Sequence, residues 1–158
     1  MNGYALLVEN CSDFVGICDI DFNLIYVNRA GKLLLGLENH AKLPNVFNFF
    51  SPSDAAFIAE TFIPKVLRQG SGEIEIRFRH FETGAAIWMG YSVLVLRDAD
   101  GKATGYATIS RNIDSRKKAE MALAQERTLL AERVKERTRE LSLANAELAR
   151  ANRLKNEF

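Results

Sequence analysis

The spacing of hydrophobic and polar positions changes period along this chain, and each change marks an element. Residues 4–10 fit a short helix ending near Asn10. Phe14 to Ile20 and Asn23 to Asn28 are β-rich runs separated by Asp21-Phe22, a spacing that predicts a hairpin. Asn28 stands where the second strand ends and the turn from Arg29 to Gly36 begins, so its short polar side chain can cap that helix. Ser51-Pro52-Ser53-Asp54 is a helix start, with Ser51 as the cap and Pro52 at the first helical position. Phe57, Ile58, Phe62, Ile63, Val66 and Leu67 then recur on one helical face, and Pro64 is expected to kink or end the helix.

From Glu73 the period drops to two. Ile74, Ile76 and Phe78 alternate with Glu73, Glu75, Arg77 and Arg79, which predicts a strand with one buried face. Ala86 to Arg97 is long and apolar at successive positions, as for a central strand covered on both faces. Asp98-Ala99-Asp100-Gly101 is a turn, Ala103 to Arg111 a last strand, and Asn112-Ile113-Asp114 a hinge. The order is two strands, a helical middle, three strands and an exit helix. It predicts an α+β domain over residues 1–112, with helices on one face of a five-stranded antiparallel sheet.

Residues 113–158 form the second part. From Asp114 onward there is no glycine or proline, and Ala, Leu, Glu, Lys, Arg and Gln dominate. These residues lose little freedom in a helix, so one continuous helix of about 65 Å is predicted. A heptad fits with Leu123, Leu130, Ala144, Ala151 and Phe158 at d and Val134, Leu141 and Leu148 at a. Glu120, Arg127, Arg137 and Lys155 interrupt that seam, so it is firmest from Leu141 to Ala151. Facing e and g positions hold no opposite charges. The expected pairs lie within one helix: Glu132–Lys135, Arg133–Glu136, Glu136–Arg139 and Arg137–Glu140, each worth a few tenths of a kcal/mol. A parallel homodimer is the expected state, and a single helix docked on its own domain is the alternative. Arg116, Lys117 and Lys118 crowd the positive end of the helix dipole, at a cost of roughly 0.3–1 kcal/mol each if unpaired. Asn112, Ile113, Asp114, Arg116, Lys117 and Lys118 are therefore the expected two-state signal hinge.

Composition narrows the class. At 158 residues and 47% hydrophobic, the chain holds one core plus the helix. A net charge of +1 with interleaved signs argues against a nucleic-acid partner. No apolar run reaches membrane-spanning length and no signal peptide is present, so a cytoplasmic location without membrane insertion is expected. Cys11 and Cys18 are read as free thiols.

The order of elements resembles a PAS domain. Val15 to Asn28 is similar to that family's opening hairpin, Ser51 to Asp54 to the segment before its longer helix, and Arg97 to Lys102 to the turn between its last strands. Ser110-Arg111-Asn112-Ile113-Asp114-Ser115-Arg116-Lys117-Lys118-Ala119-Glu120 resembles its closing motif and the start of its output helix. Asn112 and Asp114 replace the aspartate and threonine of that motif. The tail from Arg137 to Phe158 resembles the linker of a sensor histidine kinase, in which Lys155-Asn156-Glu157-Phe158 would open the dimerisation helix. The resemblance implies a sensor and linker whose kinase core and response regulator lie outside this sequence. A ligand-free PAS dimerisation module, or an input domain for an enzyme such as a diguanylate cyclase, are the alternatives.

The PAS resemblance also implies a place for a small molecule between sheet and helices. The candidates are Phe57, Phe62, Ile74, Ile76, Phe78, Trp88 and Tyr91, which would otherwise simply fill the core. Residues 28–70 lack the cysteine a covalent flavin needs, and His40 and His80 are poorly placed as haem ligands. The cysteines show no metal spacing. No nucleophile–base pair or phosphate loop is visible, so no catalysis is assigned to these residues.

Overall fold

The computed structural model describes residues 3–157 and divides into two compact units between Ser115 and Arg116. Phe158, the last expected seam residue, lies outside the described residues. The first unit opens with helix α1 (Gly3–Asn10) and the hairpin β1 (Phe14–Asp19) and β2 (Leu24–Val27). The Asp19 carboxylate builds the turn by accepting hydrogen bonds from the backbone N–H groups of Asp21 and Asn23 and from the Asn23 amide. Phe22 takes the left-handed backbone conformation there, at φ 64°.

Asn28 caps α2 (Arg29–Leu35) by accepting from the Gly31 N–H. The helix ends at Gly36, whose φ of 68° suits glycine. A Cβ there would also sit 2.5 Å from the His80 ring, which occupies the space a side chain would need. A short 3₁₀ turn (Val46–Phe49) leads to Ser51, which caps α3 (Pro52–Phe57) by accepting from the Asp54 N–H.

The helix does not stop or break at Pro64. It widens into one π-type stretch over Ile58–Phe62, where the Ile63 N–H donates to the Ile58 carbonyl, and continues as α4 (Ile63–Gln69). A proline lacks the N–H for an ordinary turn and presses on the carbonyl four residues back. The wider turn accommodates it. The expected apolar face is also narrower than its pattern. Ile58, Phe62, Ile63 and Val66 are buried, but Phe57 is 46% and Leu67 36% exposed.

Strands β3 (Ser71–Arg79), β4 (Ala86–Arg97) and β5 (Ala103–Asn112) complete an antiparallel sheet of order β2-β1-β5-β4-β3. In β3, Ile76 and Phe78 are buried and Ile74 is half-buried, while Glu73, Glu75, Arg77 and Arg79 are exposed, as the alternation requires. Strand β4 departs from expectation. Ile87, Met89, Tyr91 and Val93 are buried, but the other face carries Trp88, Ser92 and Leu94, with Leu94 43% exposed. It therefore alternates like a strand with one covered face.

The core is an aromatic cluster on the covered face. Phe49 meets Phe14 at 5.9 Å, Phe78 at 5.6 Å and Phe81 at 5.5 Å between ring centroids. Tyr91 adds contacts to Phe78, Phe50 and Phe62 at 5.3–5.8 Å. The edge-on pairs among these, Phe49 with Phe14 and Phe81 and Tyr91 with Phe78, contribute beyond their buried area. The second unit lies within α5 (Asp114–Asn156), a single helix of 43 residues with none buried. Both cysteines are free thiols.

Candidate functional site

The candidate pocket residues do not form one group. Phe62, Ile76, Phe78 and Tyr91 belong to the buried cluster, and Ile74 packs at its margin. Trp88 lies on the opposite side of β4 from Tyr91, because strand side chains alternate, and it faces Arg77 across the ladder. The Arg77 guanidinium sits 5.6 Å from the Trp88 ring centre. Phe57 is half-exposed on α3. An odd or even position in a strand decides its face, and that rule applied to Trp88 separates it from Tyr91.

The cavity bordered by Cys18, Leu24, Val46, Phe49, Tyr91 and Tyr106 has a volume of about 10 Å³. That is about the room one water needs. Side chains therefore fill this part of the core. Cys18, Val46, Phe49 and Tyr106 border the space without having been picked as candidates. No alternation in the sequence of β5 marks Tyr106, because the buried side carries Tyr106 and Ser110 while the apolar Ile109 between them is 54% exposed. Burial pushes the Cys18 thiol up to about 11 and raises Tyr91 and Tyr106 as well.

Three polar arrangements tie this core to its flanks. Asn28, fully buried, accepts from the N–H groups of Val15 and Gly31 at 3.0 Å each. Its amide donates to the carbonyls of Val8 and Asp13, also at 3.0 Å each. One side chain thus joins α1, the β1 hairpin and α2. Tyr26 donates its hydroxyl to the Glu9 carboxylate, a second link from α1 to the sheet. Burial first, and then this bond, raise the Tyr26 hydroxyl to about 12. Arg111 pairs with Asp13 at 3.2 Å, joining β5 to the segment before β1.

The residues expected to form the hinge lie where β5 gives way to α5. The Ile113 N–H donates to the Trp88 carbonyl at 2.8 Å, and the Asp114 Oδ1 accepts from the Trp88 N–H at 2.9 Å. Asn112 accepts from the Asp114 N–H at 2.9 Å, and Ile113 is buried. Further on, Glu120 takes Arg116 at 2.6 Å and Lys117 at 3.9 Å. One carboxylate a turn later therefore answers both Arg116 and Lys117. Of the four ion pairs expected later in the helix, Arg137–Glu140 forms at 3.3 Å among the described residues.

Neither histidine is placed for metal or phosphate chemistry. His80 Nδ1 accepts from the N–H groups of Glu82 and Thr83, which makes it a turn-stabilising acceptor. His40 lies edge-on to Phe81 at 5.9 Å. Among the described residues, no group of three or more His, Cys, Asp or Glu could hold a metal ion. No described helix is long and apolar enough to cross a membrane.

A five-stranded antiparallel sheet with helices on one face, followed by a long helix, defines an α+β sensor-type fold. A family model described as the PAS fold matches residues 8–118. The chain belongs to the PAS family. Among solved structures it is similar to the PAS domain of a protein from Colwellia psychrerythraea, at 22% identity and a TM-score of 0.66, covering 71% of this chain and 95% of that one. It is also similar to a sensory box histidine kinase/response regulator from Burkholderia thailandensis, at 20% identity and 0.63, covering 83% and 99%. The N-terminal domain of a diguanylate cyclase with a PAS/PAC sensor from Marinobacter aquaeolei gives 18% and 0.56, covering 66% and 97%. At these identities the likeness concerns the fold. No curated protein matches the chain.

Proposed function

We propose that this chain is a sensor module that passes a signal through paired copies of α5 to a histidine kinase. The domain boundary in this reading falls after Asn112, with residues 113–158 as the signalling helix. The observation that carries it is the seam of α5. Leu123, Leu130, Val134, Leu141 and Leu148 are 48–63% exposed in the single chain, and Ala144 and Ala151 are exposed between them. A polar helix of this length gains little stability alone. Pairing along a heptad seam buries those side chains, and the small Ala144 and Ala151 permit close approach.

In this reading the Asn112–Lys118 segment couples the sheet to the coil. Asp114 and Ile113 bond to β4, so a shift of that strand moves the start of α5. Residues within the core, Phe62, Ile76, Phe78 and Tyr91 among them, would sense a ligand or a change of packing. The tail sequence from Arg137 onward, which resembles a histidine kinase linker, favours a kinase output over a cyclic-dinucleotide enzyme.

The test is the association state of the chain and of a Leu141→Asn/Leu148→Asn variant, by sedimentation at tens of micromolar. The parent chain should be a dimer and the variant a monomer. Spin labels at position 145 should give one short distance in a parallel pair. A monomeric parent chain overturns the coil. In the longer protein, a histidine within about two helical turns after Phe158 supports the kinase output, and its absence ends that reading. Reversing the charges of Arg116, Lys117 and Lys118 there should alter kinase output and leave ligand affinity unchanged.

A further inference from the structure

Strand β3 is an edge of the sheet, with β4 on one side and, among the described residues, no strand on the other. The ladder shows which of its backbone groups face outward. The His80 N–H donates to the Ala85 carbonyl, and the Gly70 carbonyl accepts from the Val95 N–H, so even-numbered residues bond toward β4. In an antiparallel ladder the odd positions then direct N–H and C=O to the free edge. Those positions are Ser71, Glu73, Glu75, Arg77 and Arg79, all exposed. Unpaired edges template association, and like charges usually prevent it.

This edge is not like-charged along its length. Its charges change sign about Ile76, with Glu73 and Glu75 on one side and Arg77 and Arg79 on the other. We infer that β3 pairs edge to edge with β3 of a second copy of this chain, about a two-fold axis at Ile76. In that register Glu73 faces Arg79 of the second copy, and Glu75 faces its Arg77. All four residues are odd-numbered, so each facing pair exchanges two backbone hydrogen bonds. Ile76 faces its own copy at a non-hydrogen-bonded position, where side chains lie closest.

The neighbouring registers are rejected by charge. Sliding by two residues one way sets Glu75 against Glu75, and the other way Arg77 against Arg77, and like charges directly opposite destabilise. A self-paired edge must be antiparallel under two-fold symmetry, so no parallel arrangement competes. Arg77 already has Asp54 at 3.7 Å and Arg79 the Asn48 carbonyl at 3.1 Å. A guanidinium has five donors, so these bonds can be kept while each arginine faces a second carboxylate.

This contact is separate from pairing through α5, and amide exchange distinguishes them. In the full chain, the amides of Glu73, Glu75, Arg77 and Arg79 should gain protection as concentration rises. Glu73→Arg/Glu75→Arg makes an all-positive edge and Arg77→Glu/Arg79→Glu an all-negative one. Each alone should lose that protection, with edge association weaker by roughly tenfold or more. An equimolar mixture of the two should regain it, which a folding defect would not do. The Leu141→Asn/Leu148→Asn chain should keep edge protection even where coil pairing is lost. Exchange independent of concentration, or no recovery on mixing, overturns the inference. Full protection at the lowest concentration also overturns it, because the edge would then be covered within one chain.

Discussion

The carboxylate of Asp114 accepts the backbone N–H of Trp88 at 2.9 Å, so the first residue of α5 is bonded to the strand that carries Met89 and Tyr91 into the core. Asp114 does two things at once: it is the acidic residue of the first helical turn and a side-chain acceptor for β4. Asp114→Ala should cost about 1–2 kcal/mol of domain stability in urea unfolding. Asp114→Asn keeps an acceptor oxygen and should recover part of that loss. Equal loss in both variants would show that charge at the helix start matters more than the Trp88 bond.

Asn28 should be the most sensitive polar residue of the domain. Asn28→Ala leaves buried donors and acceptors on Val8, Asp13, Val15 and Gly31, at a cost of about 3 kcal/mol. Asn28→Asp retains the acceptor for Val15 and Gly31 but turns a second oxygen toward the carbonyls of Val8 and Asp13. Its penalty should shrink as pH falls and the new carboxyl becomes a donor. Denaturation at pH 7 and pH 4.5 measures this, and a penalty unchanged with pH would count against it.

The two thiols should react at very different rates. Cys18 is buried with its ionisation raised to about 11, whereas Cys11 is half-exposed. Alkylation of the native chain should modify Cys11 first and reach Cys18 only on unfolding. Because the folded value is raised, the neutral thiol is the stabilised form. Its contribution is full below about pH 9 and falls as pH rises through 11. Peptide mapping of the alkylated protein decides the order.

The β1–β2 turn should weaken in acid. Asp19 is held below the usual carboxylate range, first by the Asn23 backbone N–H, then by the Asn23 amide and the Asp21 N–H. A lowered folded value means the contribution is present above about pH 4, the unfolded value, and is lost as pH falls through the lower folded one. Amide exchange at Asp21 and Asn23 should accelerate on acidification relative to other turns, after correction for intrinsic rates. Asp19→Asn should remove that selective change.

Much of the fold was legible because its signals are local. Asn28 and Ser51 announce helix starts, and the alternation around Ile76 announces a strand with one wet face. Each needs only a few neighbouring residues. The pocket was less legible because it depends on which faces meet. Trp88 looked like a partner of Tyr91 by composition, yet an odd separation along β4 puts them on opposite sides of the sheet. Val46, Phe49 and Tyr106 come together only when the 3₁₀ turn is laid over β5, a contact spanning the middle of the chain. At the start of α5 the relevant spacing is short and visible in the sequence: Glu120 lies one turn away and answers Arg116 and Lys117.

The widened turn before Pro64 has a consequence for how this helix tolerates changes of length. Ile58, Phe62 and Val66 are all buried across it, at four-residue spacings that share one face of a helix, so the two helical pieces face the same core and the wider turn serves the proline. Each residue of an α-helix turns the chain by about 100°. Deleting Ala59 would tighten the turn and set Ile58 and Val66 seven residues apart, still on one face of a regular helix, while bringing the Pro64 ring onto the carbonyl four residues back. A family member that lost one residue here would have to lose the proline with it.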